Sequence, residues 1–492
     1  MPDGAGRGDE VHDSPRMSDF ESVMWELERD PRLSSAFANV TLFDRPPDRR
    51  RFRARMAAAT REVPRLRQRV VPAPARLAPP EWRTDPDFDL DRHLRWVDLG
   101  GHAGERELFD LVATLSRQPF DRGRPLWEFV VVEGLAGGRA AMVQRLHHTI
   151  TDGKGGIRLS LAFLDLERDP DEPPAPQTGA VAGAPGAGAT AGASVGGDGG
   201  TPWWSRTAGA AGHAARSGLG RLGGAAAGLA ATVRHPGELP ARGSDALGLA
   251  RSALHQVRVD GRRSPLWTER SLARWFGVTQ LHLDDVRAAA ATLGGSVNDV
   301  FVTGATAAAG RAHDRAGRPV DELRVSMPVS TRHDRRAGGN AFAPTQALVP
   351  TAPMDAADRF AGVHAVLDRV KAERVLGSME SAAAALSLLP TGVLVRTGQR
   401  VAGSVDFVCS NVRAAPFDLY IAGALMQANY PIGPLAGTAF NLTTMSYRGW
   451  MFLGLVVDTV AVSDPEALLG DLREAYDEVL RAGGVRRPRR FS

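Results

Sequence analysis

Two adjacent histidines, His147 and His148, are followed by the carboxylate of Asp152 and by Gly153 in the stretch Leu146-His147-His148-Thr149-Ile150-Thr151-Asp152-Gly153. Together they make a compact acid–base unit. Imidazole is the side chain whose ordinary pKa best suits proton abstraction near neutral pH, so a general base is the chemistry this spacing points to. The competing readings are a satisfied core histidine and a metal site. No cysteine or histidine cluster accompanies the pair at ligand spacing, which argues against a metal.

The pair stands where one pattern gives way to another. Ala141-Met142-Val143-Gln144-Arg145-Leu146 reads as a strand, and after the pair Ile157, Leu161 and Leu164 recur at helical spacing. Alternation along the strand puts Met142, Gln144, Leu146 and His148 on one face and Val143, Arg145 and His147 on the other. The two histidines therefore have different roles. His148 closes the strand, where its ring can be held while one edge meets a cavity. His147 reads as packing on the far face.

The 492 residues suffice for two packed domains. The net charge is only +4, and Lys154 and Lys371 are the only lysines. The Arg/Ala/Gly bias reads as genome composition, because no aromatic-interleaved basic groove points to nucleic acid. One cysteine, Cys409, rules out a disulfide framework, suits the cytoplasm and reads as a small core residue. No apolar run of about eighteen residues suggests a transmembrane helix. Met1 to Arg16 is polar, lacks a signal-peptide core and reads as a disordered extension.

In chain order, Ser18 and Glu21 have capping-box spacing and open a helix that ends before Pro31. Ala36 to Phe43 reads as a strand, Pro47 to Glu62 as a helix and Leu66 to Val70 as a strand. Trp82 to Trp96 reads as extended and loop-like. Leu108, Leu111, Val112 and Leu115 mark an amphipathic helix, and Pro125-Leu126-Trp127-Glu128 opens the strand Phe129 to Val132. There Trp127 reads as a core anchor, and Glu128 as a cap or a partner for an arginine. Further on, Ser296 and Asp299 again have capping-box spacing, which leaves Asn298 unexplained by helix initiation. Asp355 to Glu373 and Asp464 to Leu480 read as helices, and Phe407 to Val412 and three long segments between Asp418 and Val457 as strands. Arg486, Arg487, Arg489 and Arg490 form a basic tail over 483–492, read as solvated.

The histidine stretch resembles the HHxxxDG signature of a wide acyltransferase superfamily that includes condensation domains. "LRQRVV", "FDLDRHLR", "RPLWE", "SVNDV", "PVSTR" and Gly338-Gly339-Asn340 narrow the resemblance to the bacterial wax ester synthase/diacylglycerol acyltransferase family, from about Met17 to Leu480. Asn411-Val412-Arg413-Ala414-Ala415-Pro416 departs from that family's "SNVPGP". The resemblance implies an α+β fold of two chloramphenicol-acetyltransferase-like lobes, each a mostly antiparallel sheet with covering helices, and an active-site tunnel between them. The lobes would span 17–170 and 261–482. It further implies acyl transfer from acyl-CoA, a co-substrate, to a diacylglycerol or a long-chain alcohol, with no cofactor. His148 would be the base, Asn298 would lie near the reaction centre, and backbone N–H groups near Gly153 would meet the oxyanion. Asp152 would be structural, paired with Arg67 or with its rivals Arg65, Arg69 and Arg332. Two alternatives stand beside this reading. One is a related enzyme using another acceptor or a carrier-bound acyl group; the other is a catalytically silent lipid-droplet or membrane protein.

Residues 171–260 read as a Gly/Ala/Pro-rich linker. Within it Trp203, Trp204, Arg206, Arg216, Arg221 and Arg234, with Leu219, Leu222, Leu229 and Val233 opposite, resemble an interfacial helix on an anionic membrane or lipid droplet. Its glycines each cost about 0.5–1 kcal/mol of helix stability, so a helix would form only against lipid or protein.

Overall fold

The computed structural model describes residues 16–74, 78–150, 162–170, 261–330, 342–373, 386 and 390–491. Asp152, Gly153, Arg332, the Gly338–Asn340 stretch, residues 1–15 and the whole of 171–260 lie outside them, with every expectation that falls there.

The first half supplies α1 (Asp19–Leu27), β1 (Ala36–Phe43), α2 (Arg49–Glu62), the hairpin β2 (Gln68–Val71) and β3 (Glu81–Thr84), then β4 (Leu94–Ala103), α3 (Glu105–Arg117), β5 (Trp127–Leu135) and β6 (Ala140–His147). The second half supplies β7 (Arg274–His282), α4 (Leu283–Thr292), α5 (Val297–Arg315), β8 (Glu322–Ser330), β9 (Phe342–Pro350) and α6 (Ala356–Glu373). It continues with α7 (Thr391–Gly403), β10 (Phe407–Arg413), β11 (Tyr420–Ile421), β12 (Ala424–Ile432), β13 (Phe440–Tyr447), β14 (Trp450–Asp458) and α8 (Pro465–Ala482).

Local chemistry accounts for the helix starts. The Ser18 hydroxyl accepts the Glu21 N–H while the Glu21 carboxylate accepts the Ser18 N–H, and Ser296 with Asp299 repeats the arrangement at α5. Asp48 caps α2, and Asp464 caps α8 with Pro465 behind it, where a missing N–H costs nothing.

Two six-stranded sheets result, each with its own apolar core. The first runs β11-β12-β1-β6-β5-β4 and the second β7-β14-β13-β10-β8-β9. Both are mainly antiparallel, with parallel pairings of β4 to β5 in the first and of β10 to β8 and β13 in the second. The sheets do not respect the division of the chain at 171–260. β11 and β12 come from the second half yet complete the first sheet, with β12 antiparallel to β1 from Ala38↔Ile432 to Leu42↔Ala428. The reason is an unpaired β1 edge: its other side is taken by β6, and β12 supplies the missing hydrogen bonds. Where β12 crosses β14, Gly454 faces the Pro431 carbonyl so closely that a β-carbon would collide with it.

Two further expectations change. The loop-like reading of 82–96 gives way to strand β3 and the start of β4, a ten-residue edge strand. The tail is not simply solvated: Arg489 donates its N–H to Asp285, Arg490 pairs with Asp477 at 2.8 Å, and Phe491 packs edge-on against Trp450 and Phe452.

Candidate active site

β6 runs through the middle of the first sheet, between β1 and β5, and all eight of its residues are buried. It ends at His147. His148 begins the turn, and its backbone N–H reaches across to the Ser35 carbonyl at 3.3 Å, just before β1 starts. The pairing Phe37↔Leu146 and Asn39↔Gln144 sets these four side chains on one face of the sheet. Phe37 lies against the His148 ring, with centroids 4.5 Å apart. Asn39, Gln144, Thr41 and Asn429 continue that face as a polar strip across β6, β1 and β12. Burial, followed by the neighbouring His147 and opposed by Glu28, pulls the His148 pKa down to about 4. At neutral pH the ring is therefore neutral, the state in which it can accept a proton.

His147 faces the other way and is fully buried. It does more than pack there. Its Nδ1 accepts the Thr149 N–H at 3.2 Å, with the Thr149 hydroxyl at 2.7 Å. The ring proton of the neutral imidazole thus sits on Nε2, 3.0 Å from Glu28 Oε2. Glu28, the C-cap residue of α1, uses Oε1 to accept the Ser34 hydroxyl at 2.7 Å and the Ser35 N–H at 2.8 Å. Burial alone would raise the pKa of this carboxyl, but its bonds to His147, Ser34 and Ser35 outweigh burial and hold it low. Glu28 and Ser35 escaped the sequence reading. Glu28 carried only its place at the end of an amphipathic helix, and nothing local tied it to a histidine so far along the chain.

The other sequence-derived positions are held by separate partners. Asn298, on the first turn of α5, accepts from Asn411 of β10 at 3.4 Å. Asp299 is the expected cap, fully buried, with His364 Nδ1 3.1 Å from its carboxylate. Arg67 lays its guanidinium 5.2 Å from the Phe88 ring centroid, Arg65 lies 4.2 Å from that of Trp82, and Asp152 falls outside the described residues. Trp127 is the core anchor expected of it: its Nε1–H donates to the Leu66 carbonyl at 2.8 Å, and its ring stacks on His93. Glu128 pairs with Arg145 at 2.6 Å and Arg95 at 2.7 Å. Cys409 is buried, and burial pushes its thiol pKa up, so it is no nucleophile. Among the described residues no three His, Cys, Asp or Glu side chains cluster as metal ligands do.

A second serine–histidine pair occurs in the other lobe. Ser264 Oγ lies 2.8 Å from His313 Nε2, and His313 Nδ1 lies 2.8 Å from the Ala309 carbonyl, which it can only meet as a donor. Asp406 accepts the backbone N–H groups of Ser264 and Arg324. All five residues are buried, and Trp267 packs edge-on against the His313 ring.

The comparisons with known proteins agree with this architecture. Residues 17–301 match the wax ester synthase/diacylglycerol acyltransferase catalytic domain, and residues 338–479 match the WS/DGAT C-terminal domain. A Mycobacterium tuberculosis protein named as a diacylglycerol O-acyltransferase is 35% identical over 98% of this chain and 95% of its own length. A second from that organism is 30% identical over 91% of each chain. Among solved structures, the wax ester synthase/diacylglycerol acyltransferase from Marinobacter aquaeolei VT8 superposes with a TM-score of 0.61 at 21% identity, covering 95% of this chain and 100% of that one. The starter condensation domain of rhizomide synthetase, solved with C8-CoA, gives 0.55 at 14% identity, covering 95% and 94%. A histidine pair at the end of a central strand, inside two linked sheets with this pedigree, makes the chain an acyltransferase that belongs to the wax ester synthase/diacylglycerol acyltransferase family.

Proposed function

We propose that the chain transfers an acyl group from acyl-CoA to the hydroxyl of a diacylglycerol, giving triacylglycerol, or of a long-chain alcohol, giving a wax ester. His148 is the general base. One observation carries this reading: the His148 ring is neutral at physiological pH and sits at the end of a rigid central strand, held by Ser35 and Phe37. An alcohol is a poor nucleophile until its proton is removed. His148 takes that proton as the oxygen attacks the thioester carbon. The tetrahedral intermediate collapses with cleavage of the carbon–sulfur bond, and the imidazolium returns its proton to the departing thiolate. Proton and electron pairs balance without an acyl-enzyme. A structural role for Asp152 with an arginine partner, and backbone N–H groups near Gly153 as oxyanion donors, belong to the same proposal. Asn298 borders the reaction centre. The relatives' names support this class of acceptor.

Lipid acceptors reside in membranes or droplets. No helix among the described residues is long and apolar enough to cross a bilayer. The sequence of residues 201–240 supports peripheral contact through its arginines and tryptophans, each arginine contributing about 1 kcal/mol near an anionic surface. The deciding experiment incubates purified protein with radiolabelled palmitoyl-CoA and either diacylglycerol or hexadecanol, and separates the products by chromatography. Labelled triacylglycerol or wax ester is expected; release of free palmitate alone would overturn the reading.

A further inference from the structure

The Glu28 carboxylate lies where three stretches of backbone meet: the end of α1, the entry to β1 and the end of β6. Glu28 is the C-cap residue of α1, and its carboxylate accepts both Ser34 Oγ–H and Ser35 N–H at the entry to β1 and lies 3.0 Å from His147 Nε2 at the end of β6. Ser35 then presents its carbonyl to the His148 N–H. A shift of Glu28 moves both the residue before His148 and the backbone acceptor that holds His148. Thr149 holds the His147 ring at Nδ1, and Nε2 lies 3.0 Å from Glu28 Oε2.

We propose that Glu28 and His147 form a buried positioning pair for His148. Glu28 sets the backbone on both sides of the ring, and its negative charge, lying behind His147, favours the imidazolium that forms when His148 accepts a proton. The proposal rests on the reading of His148 as the base. Neither residue touches the reacting atoms. The arrangement is that of an imidazole held by a carboxylate on the far face of the strand, acting on His148 through the backbone the two histidines share and through its charge.

The charges around this pair are few. On α1, Glu26 and Arg29 pair with each other at 3.1 Å. From the loop after α3, Arg122 lies over the Trp25 ring, donates to the Trp25 carbonyl at 2.8 Å and is attracted by both Glu28 and Glu26. Among the described residues, Glu28 is the acidic group that acts on His148, against the opposing effect of His147.

The test compares Glu28→Gln, Glu28→Asp and His148→Ala in the full chain, with palmitoyl-CoA and diacylglycerol. Gln keeps an oxygen for Ser34 and Ser35 but removes the charge and sets an amide N–H against His147 Nε2–H. The expected result is a fall in kcat of about 10- to 100-fold, the scale of losing an outer-shell partner of a histidine, with KM for acyl-CoA within about twofold. The acid limb of the kcat/KM profile should move to lower pH, because the His148 imidazolium has lost its nearby anion. Glu28→Asp restores the charge and recovers part of kcat. In the His148→Ala background Glu28→Gln should have no further effect, since the pair acts only through that ring. A folded Glu28→Gln enzyme with wild-type kcat overturns the proposal, as does a loss of kcat with an unmoved acid limb. If Glu28→Gln does not fold, Glu28→Asp decides alone: its acid limb stays at the parental pH if the charge matters and shifts if only the side-chain length does. An active His148→Ala enzyme would instead overturn the base assignment, whatever Glu28 does.

Discussion

Two of the histidine sites among the described residues, one in each lobe, are built from similar parts. In the first lobe His147, Ser34, Ser35 and Glu28 surround the end of β6; in the second, His313, Ser264 and Asp406 surround the end of α5. Either could pass for a hydrolytic triad on composition. The difference lies in what each serine and histidine must satisfy. Ser264 Oγ already accepts the N–H groups of Leu266 and Trp267, and His313 has a partner on both nitrogens, so every atom of that site is consumed in fixing a buried turn. In the first lobe the same fixing is done by His147, which leaves the neighbouring ring at the mouth of the strand, flanked by Phe37 and the polar strip of Asn39 and Gln144. On the proposed reading, two histidines are needed because one is used up in holding the other.

The largest effects should separate the two sites cleanly. His148→Ala is expected to lower turnover about 10²–10⁴-fold, the usual worth of a general base, while its melting temperature stays at or above the parent's. A mutant that melts normally and turns over normally would erase the distinction. His313→Ala should do the reverse. It strands the Ser264 hydroxyl and opens a cavity beneath Trp267, costing roughly 3 kcal/mol in a denaturant titration, while turnover per folded molecule stays within about twofold. A fluorophosphonate probe should leave Ser264 unlabelled.

Much of the first site could be read from residue order, and the reason is local. Alternation along Met142 to His148 separates the faces of the two rings without knowledge of any partner, and capping boxes at Ser18 and Ser296 mark helix starts. What alternation cannot supply is a partner from elsewhere. Glu28 meets His147 only because β1 and β6 pair, and β12 meets β1 only because the lobes interlock. The edge strand β4 was hidden for another reason: Arg95, Asp98, Gly100, Gly101 and His102 break its apolar pattern, since an edge strand packs only part of its length.

Acidity offers a subtler comparison. Burial lowers the pKa of His148, to about 4, and also those of His93 and His313. Each folded-state value lies below the unfolded value of about 6.5, so the neutral rings contribute stability that is complete above that pH and is lost as the pH falls toward the folded values. Melting temperature should therefore fall between pH 7 and pH 5, and less so in His313→Ala relative to its own value at pH 7. The acid limb of kcat/KM should lie near pH 4, because only His148 governs it. A limb near 6.5 would mean that the ring is solvated in the working enzyme. The smallest effect belongs to Trp127→Phe, which removes the bond to Leu66 and should cost about 1 kcal/mol with little change in rate.

The strand β12 also dictates when the enzyme can exist during its synthesis. The sheet that carries His148 has β1 at its edge until residues 424–432 have left the ribosome, long after β1 itself was made. Pairings this distant in the chain close slowly, because the ends must find each other across a long loop. A nascent chain thus carries an open apolar β-edge until β12 emerges, a template for association with other chains. Chaperone demand should concentrate on that interval, and an interrupted translation product ending before β12 would aggregate rather than yield a partial enzyme.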